Sequence, residues 1–60
     1  MKLLTIKQAA EFLTMSESRV RYEVFRKNIS FFKIGRSIRF CQEDLVEWVV
    51  SKKKGVPNES

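Results

Sequence analysis

The sequence contains no histidine, a single cysteine, a single proline and only two glycines. Without histidine, neither an imidazole general base nor a histidine-bearing zinc site can be built. One cysteine cannot close an internal disulfide, so the bridges and metals that staple many mini-proteins are both missing. No apolar run approaches the ~18 residues that a membrane-spanning helix needs. The opening MKLLTIKQAAEF breaks its apolar residues with polar ones every few positions, unlike the core of a signal peptide. The expectation is a reduced, cytoplasmic protein with no cofactor, no metal site, no membrane contact and no small-molecule ligand.

The chain has 60 residues, of which 43% are hydrophobic and 32% charged. That is enough apolar material for one small core, and too much for a disordered chain. A chain of this size has little room for an enclosed active site, so a non-enzymatic role is expected.

The charge is unevenly placed. Over residues 18–40, Arg19, Arg21, Arg26, Lys27, Lys33, Arg36 and Arg39 stand against Glu23 alone, for a net +6. Residues 1–17 are neutral, residues 41–51 carry −3 through Glu43, Asp44 and Glu47, and residues 52–60 carry +2. A basic stripe confined to one segment of a small protein suits a phosphate-bearing partner.

Ile6, Ala9, Ala10 and Leu13 follow helical spacing, and Thr5 with Gln8 forms a capping box, which predicts a first helix from Ile6 to near Leu13. The adjacent alanines leave room for another backbone to approach closely. Ser16 is a second N-cap, with Met15 and Val20 placed as a hydrophobic staple, so a second helix is expected from Glu17 to about Arg26 after a tight turn. On it, Val20 and Val24 share one face. Ser18, Arg19, Tyr22 and Arg26 cluster roughly opposite, with Arg21 and Phe25 on the flank.

Lys27-Asn28 marks a helix stop, after which β-branched and aromatic residues surround a Gly35-Arg36 turn. This predicts a two-stranded hairpin in which Phe32, Ile34, Ile38 and Phe40 supply one apolar face and Arg36 and Ser37 form an exposed tip. Leu45, Trp48 and Val49 predict a third helix over about Gln42 to Lys52, with Glu43 and Asp44 at its positive end and Lys52 to Lys54 as a C-terminal cap and solubilising tail. Gly55 and Pro57 close it, giving a folded domain over 1–54 and a disordered tail over 55–60. Phe12, Phe25, Phe31, Phe32 and Trp48 are read mainly as core, with an exposed phenylalanine marking a self-association patch, and Cys41 is read as structural.

The blocks LTIKQAAEFL at 4–13, Met15-Ser16 followed by Ser18-Arg19-Val20-Arg21-Tyr22, FFKIGRSIRF at 31–40 and EDLVEW at 43–48 cover nearly the whole chain. In this order they resemble the small winged-helix DNA-binding domains shared by excisionases and MerR-type regulators. The resemblance implies an α+β, mainly helical fold: a small winged helix-turn-helix of three helices with a two-stranded β-hairpin wing. It also implies that the second helix enters the major groove while the wing reaches flanking backbone or minor groove. Lys27 stands where that family commonly has glycine, and Ser30 where it commonly has proline.

Carried onto matching positions, the recognition-helix contacts are Ser16, Glu17, Ser18, Arg19, Arg21, Tyr22 and Arg26, and the wing contacts are Lys33, Arg36, Ser37 and Arg39. Glu17 has two readings, a base contact to cytosine or a favourable charge at a helix start. The resemblance implies a sequence-specific double-stranded DNA-binding protein of a bacterium or phage. Its expected role is excisionase-like: copies bound side by side bend DNA and assist a tyrosine or serine integrase in excising a mobile element. A small MerR-like transcriptional regulator is the alternative, although that family's effector domain has no counterpart before Ser60. From another class, a protein-interaction adaptor would use the basic hairpin to dock an acidic partner.

Overall fold

A computed structural model describes residues 2–55. The elements run β1 (Leu3–Leu4), α1 (Ile6–Leu13), α2 (Glu17–Phe25), β2 (Phe32–Ile34), β3 (Ser37–Cys41) and α3 (Gln42–Ser51). The three expected helices are present with their expected starts. Arg26 and Lys52, expected as the last helical residues, are the C-caps of α2 and α3. Of the expected tail over 55–60, residues 56–60, with Pro57, lie outside the described residues.

Local chemistry accounts for the helix-turn-helix. At the start of α1, the Thr5 hydroxyl accepts the Gln8 N–H at 3.1 Å and the Gln8 side chain accepts the Thr5 N–H at 2.9 Å, the reciprocal capping box. At its end Thr14 turns left-handed, at φ 58°. The Met15 N–H then reaches back to Ala10 O at 2.9 Å and the Thr14 N–H to Glu11 O at 3.2 Å, which closes the helix as a Schellman motif. Ser16 opens α2 by accepting the Arg19 N–H at 3.1 Å.

The end of α2 repeats this arrangement. Asn28 N–H bonds Glu23 O and Lys27 N–H bonds Val24 O, both at 2.9 Å, with Lys27 left-handed at φ 56°. The reversal that family members commonly make with glycine is here made by lysine, at a steric cost.

Ala9, Ala10, Val20, Phe40 and Leu45 are buried at the centre, joined by Leu4 and Ile29. The two alanines let α1 serve as the hub, contacted by α2, α3, β1 and β3, whereas α2 packs mainly on α1. That leaves most of α2 facing outward: its buried residues are Val20 and Glu23.

The fold is the expected small α+β winged helix-turn-helix, and its β2–β3 hairpin is joined by β1 in a three-stranded antiparallel sheet ordered β1-β3-β2, in which Leu3 and Leu4 pair with Cys41 and Phe40. Two expectations need correction. The proposed single apolar face does not form. A two-residue turn at Gly35-Arg36 makes Ile34 the partner of Ser37 and Phe32 the partner of Arg39. Phe32 and Ile34 therefore share the outer face with Ser37 and Arg39, while Ile38 and Phe40 turn inward on the side of Lys33. The aromatic core is also redistributed. Phe40 is fully buried, Phe31 and Trp48 pack at the core edge, and Phe12, Phe25 and Phe32 are exposed.

Candidate nucleic-acid interface

Because α2 rests on a narrow seam, its remaining faces display Ser18, Arg19, Arg21, Tyr22, Phe25 and Arg26 to solvent. Tyr22, Arg19 and Arg26 form a unit at i, i+3 and i+4 spacings. The Arg19 and Arg26 guanidinium carbons lie 5.9 Å and 5.6 Å from the Tyr22 ring centre, and Arg26 donates to the Tyr22 hydroxyl at 3.1 Å. Cation–π contact thus keeps two guanidinium groups beside one aromatic ring. Tyr22 also raises the Arg26 pKa, chiefly through that hydrogen bond.

Glu23 was read only as the lone anion of the basic segment; the structure gives it a structural office. It is 4% exposed, and its carboxylate accepts from Asn28 Nδ2 and from Arg19 Nε, each at 2.8 Å. The Asn28 amide, then the Arg19 guanidinium, hold the Glu23 carboxyl below its ordinary value near 4.5 against the opposing effect of burial. Asn28 in turn accepts the Trp48 indole N–H through its backbone carbonyl at 2.7 Å, and Lys52 lies 5.4 Å from the Trp48 ring centre. One chain of contacts therefore runs from α3 through the end of α2 to Arg19. It fixes Arg19 by Nε while most of the arginine side chain stays exposed. The positions could have been suspected from sequence, since Arg19 and Glu23 stand at i and i+4, but the burial of Glu23 could not.

Of the other α2 residues, Ser16 is engaged as the N-cap and Glu17 lies 3.7 Å from Arg21, in a pair exposed on both sides. Such a pair is worth little in water, so Arg21 is free to exchange Glu17 for another anion.

The wing set is divided by the strand register. Arg36 occupies the exposed turn beside Gly35, whose φ of +63° with no positive φ at Arg36 matches a type II′ hairpin turn. Ser37 and Arg39 lie on the outer face, with the Arg39 guanidinium bonded to Ile38 O at 2.8 Å, while Lys33 lies on the opposite face across from Ile38. The four wing residues are thus spread along one hairpin, from the Arg36 turn to the Phe32–Arg39 pair, and do not share one face. At the end of β3, the Cys41 thiol donates to Glu43 at 2.8 Å and, more than the Glu43 backbone hydrogen bond, lowers that carboxyl's pKa.

Two helices joined by a tight turn, the second exposed and basic, followed by a cation-bearing hairpin, define a DNA-binding helix-turn-helix protein. Residues 3–53 match the family model described as a helix-turn-helix domain, and the chain belongs to this excisionase-type family. No curated protein and no solved structure matches the chain. No helix among the described residues is long and apolar enough to cross a membrane.

Proposed function

We propose that the protein is a sequence-specific double-stranded DNA-binding factor with an excisionase-like role, acting as several copies side by side that bend DNA and direct an integrase towards excision. The observation that carries this reading is the outward basic face of α2, where Arg19 and Arg26 flank Tyr22, followed in the chain by a hairpin with Arg36 at its tip. Ser18, Arg19, Arg21, Tyr22 and Arg26 contact the major groove, Ser16 and Glu17 approach it at the helix start, and Lys33, Arg36, Ser37 and Arg39 contact flanking backbone. Membership of an excisionase-type family supports the role. Size supports the multiplicity, because one small module seldom buries enough surface for tight specific binding.

Sedimentation of the free protein together with titration onto a long duplex, carrying repeats of a sequence that the protein selects from a random pool, tests the role. A monomer in solution that forms stepwise, cooperative complexes of falling mobility is the expected result. A stable dimer without DNA, occupying one palindromic site without bending it, overturns the excisionase reading in favour of a regulator.

A further inference from the structure

Phe25 is 84% exposed, the highest value among the exposed large hydrophobic residues described, and it lies in the last turn of α2. Val20 and Val24 already fill the seam towards the core, so folding has no further use for its ring. At about 100° per residue, Ser18, Arg21 and Tyr22 all fall within about 60° of Phe25 around the helix. The ring therefore stands among the side chains assigned to the groove, in the middle of a polar and cationic face where an aromatic hydrocarbon is poorly solvated.

We propose that Phe25 is a specificity-determining residue that packs its ring against the 5-methyl group of a thymine in the major groove. This rests on α2 being the groove-entering helix. Once α2 docks, Phe25 loses its water whatever the sequence beneath it. The edges of the four base pairs in the major groove carry hydrogen-bonding groups, and the one apolar group among them is the thymine methyl. A ring over a cytosine amine or a purine nitrogen would strip water from a polar group without replacing its hydrogen bond, whereas over a thymine it removes two apolar surfaces from water together. The same ring would also accept the methyl of 5-methylcytosine, which occupies the equivalent position on a G·C pair.

The test starts from a duplex selected by the wild-type protein from a random pool, with each thymine then replaced singly by deoxyuridine, which removes only the methyl. Binding is measured for wild type, Phe25→Ala and Phe25→Leu, with thermal unfolding confirming that each variant folds. At one thymine, demethylation should weaken wild-type binding about four-fold, the worth of one buried methyl group. Phe25→Ala should bind the two duplexes equally, and Phe25→Leu should retain part of the difference. Indifference of the wild-type protein to demethylation at every position overturns the proposal, as does an equal preference for thymine in Phe25→Ala. A Phe25→Ala variant that loses only the cooperativity of successive complexes would instead place the ring against a neighbouring copy. Failure to bind any duplex would remove the groove reading of α2 itself, and the proposal with it.

Discussion

Replacing Lys27 by glycine should make the domain more stable, although it deletes a side chain and adds backbone freedom. Lys27 holds φ at 56° so that its own N–H and that of Asn28 can close the end of α2 on Val24 and Glu23. The left-handed conformation costs an L-residue roughly 1–2 kcal/mol. Glycine avoids this but loses about 0.5–1 kcal/mol through the greater freedom of its unfolded chain. The net gain is about 0.5–1 kcal/mol, or a rise of roughly 3–6 °C in Tm for a domain of this size. Lys27→Ala separates backbone from charge: it removes the same cation but keeps the strain, so its Tm should stay near that of wild type. Trp48 is the single tryptophan and its indole N–H bonds the Asn28 carbonyl, so its fluorescence reports on this corner directly, with circular dichroism as the global probe. A Lys27→Gly variant no more stable than Lys27→Ala would refute the left-handed cap.

Arg36→Ala should leave Tm almost unchanged, because an exposed turn residue contributes little stability, while weakening binding to all duplex sequences and reducing the salt slope by about one; an unaltered slope removes Arg36 from the interface. Glu23→Gln should lower stability at neutral pH and loosen Arg19. Since folding lowers the Glu23 pKa, its stabilising effect is fully present above the unfolded value near 4.5 and disappears as pH falls through the lower folded value, so the Tm curves of variant and wild type should converge in acid. Phe40→Ala empties the largest fully buried site at a loss of about 3–5 kcal/mol, comparable to the whole stability of so small a domain, and circular dichroism should show no cooperative transition.

Helix starts were legible because caps are local: Thr5 with Gln8 and Ser16 with Arg19 act over three residues, and both formed as read. The wing faces were legible in principle and misread. A two-residue turn fixes the parity of every pair beyond it, so placing the turn at Gly35-Arg36 already committed Phe32 to the side of Arg39. β1 was not legible, since two leucines beside a capping box carry no period and gain their strand character only from β3. The burial of Glu23 was hidden for a similar reason: its partner Asn28 is also held by the Trp48 indole, twenty residues further on, and that contact exists only in the folded chain. Phe25 was assigned to the core by its chemistry alone, although its angular distance from Val20 and Val24 placed it on the flank of the helix.

Equilibrium binding to duplex DNA across a salt series tests the central claim most directly. Arg19, Arg21, Arg26, Lys33, Arg36 and Arg39 are assigned to the interface, and at about 0.9 counterions released per phosphate neutralised they set a slope of log K against log salt between roughly −2.7, with three of them on phosphate, and roughly −5.4, with all six. A slope in that range, with tighter binding to a selected sequence than to random duplex, is the predicted result. No measurable duplex affinity at low salt, or an affinity indifferent to salt, would contradict DNA recognition by α2 and the wing.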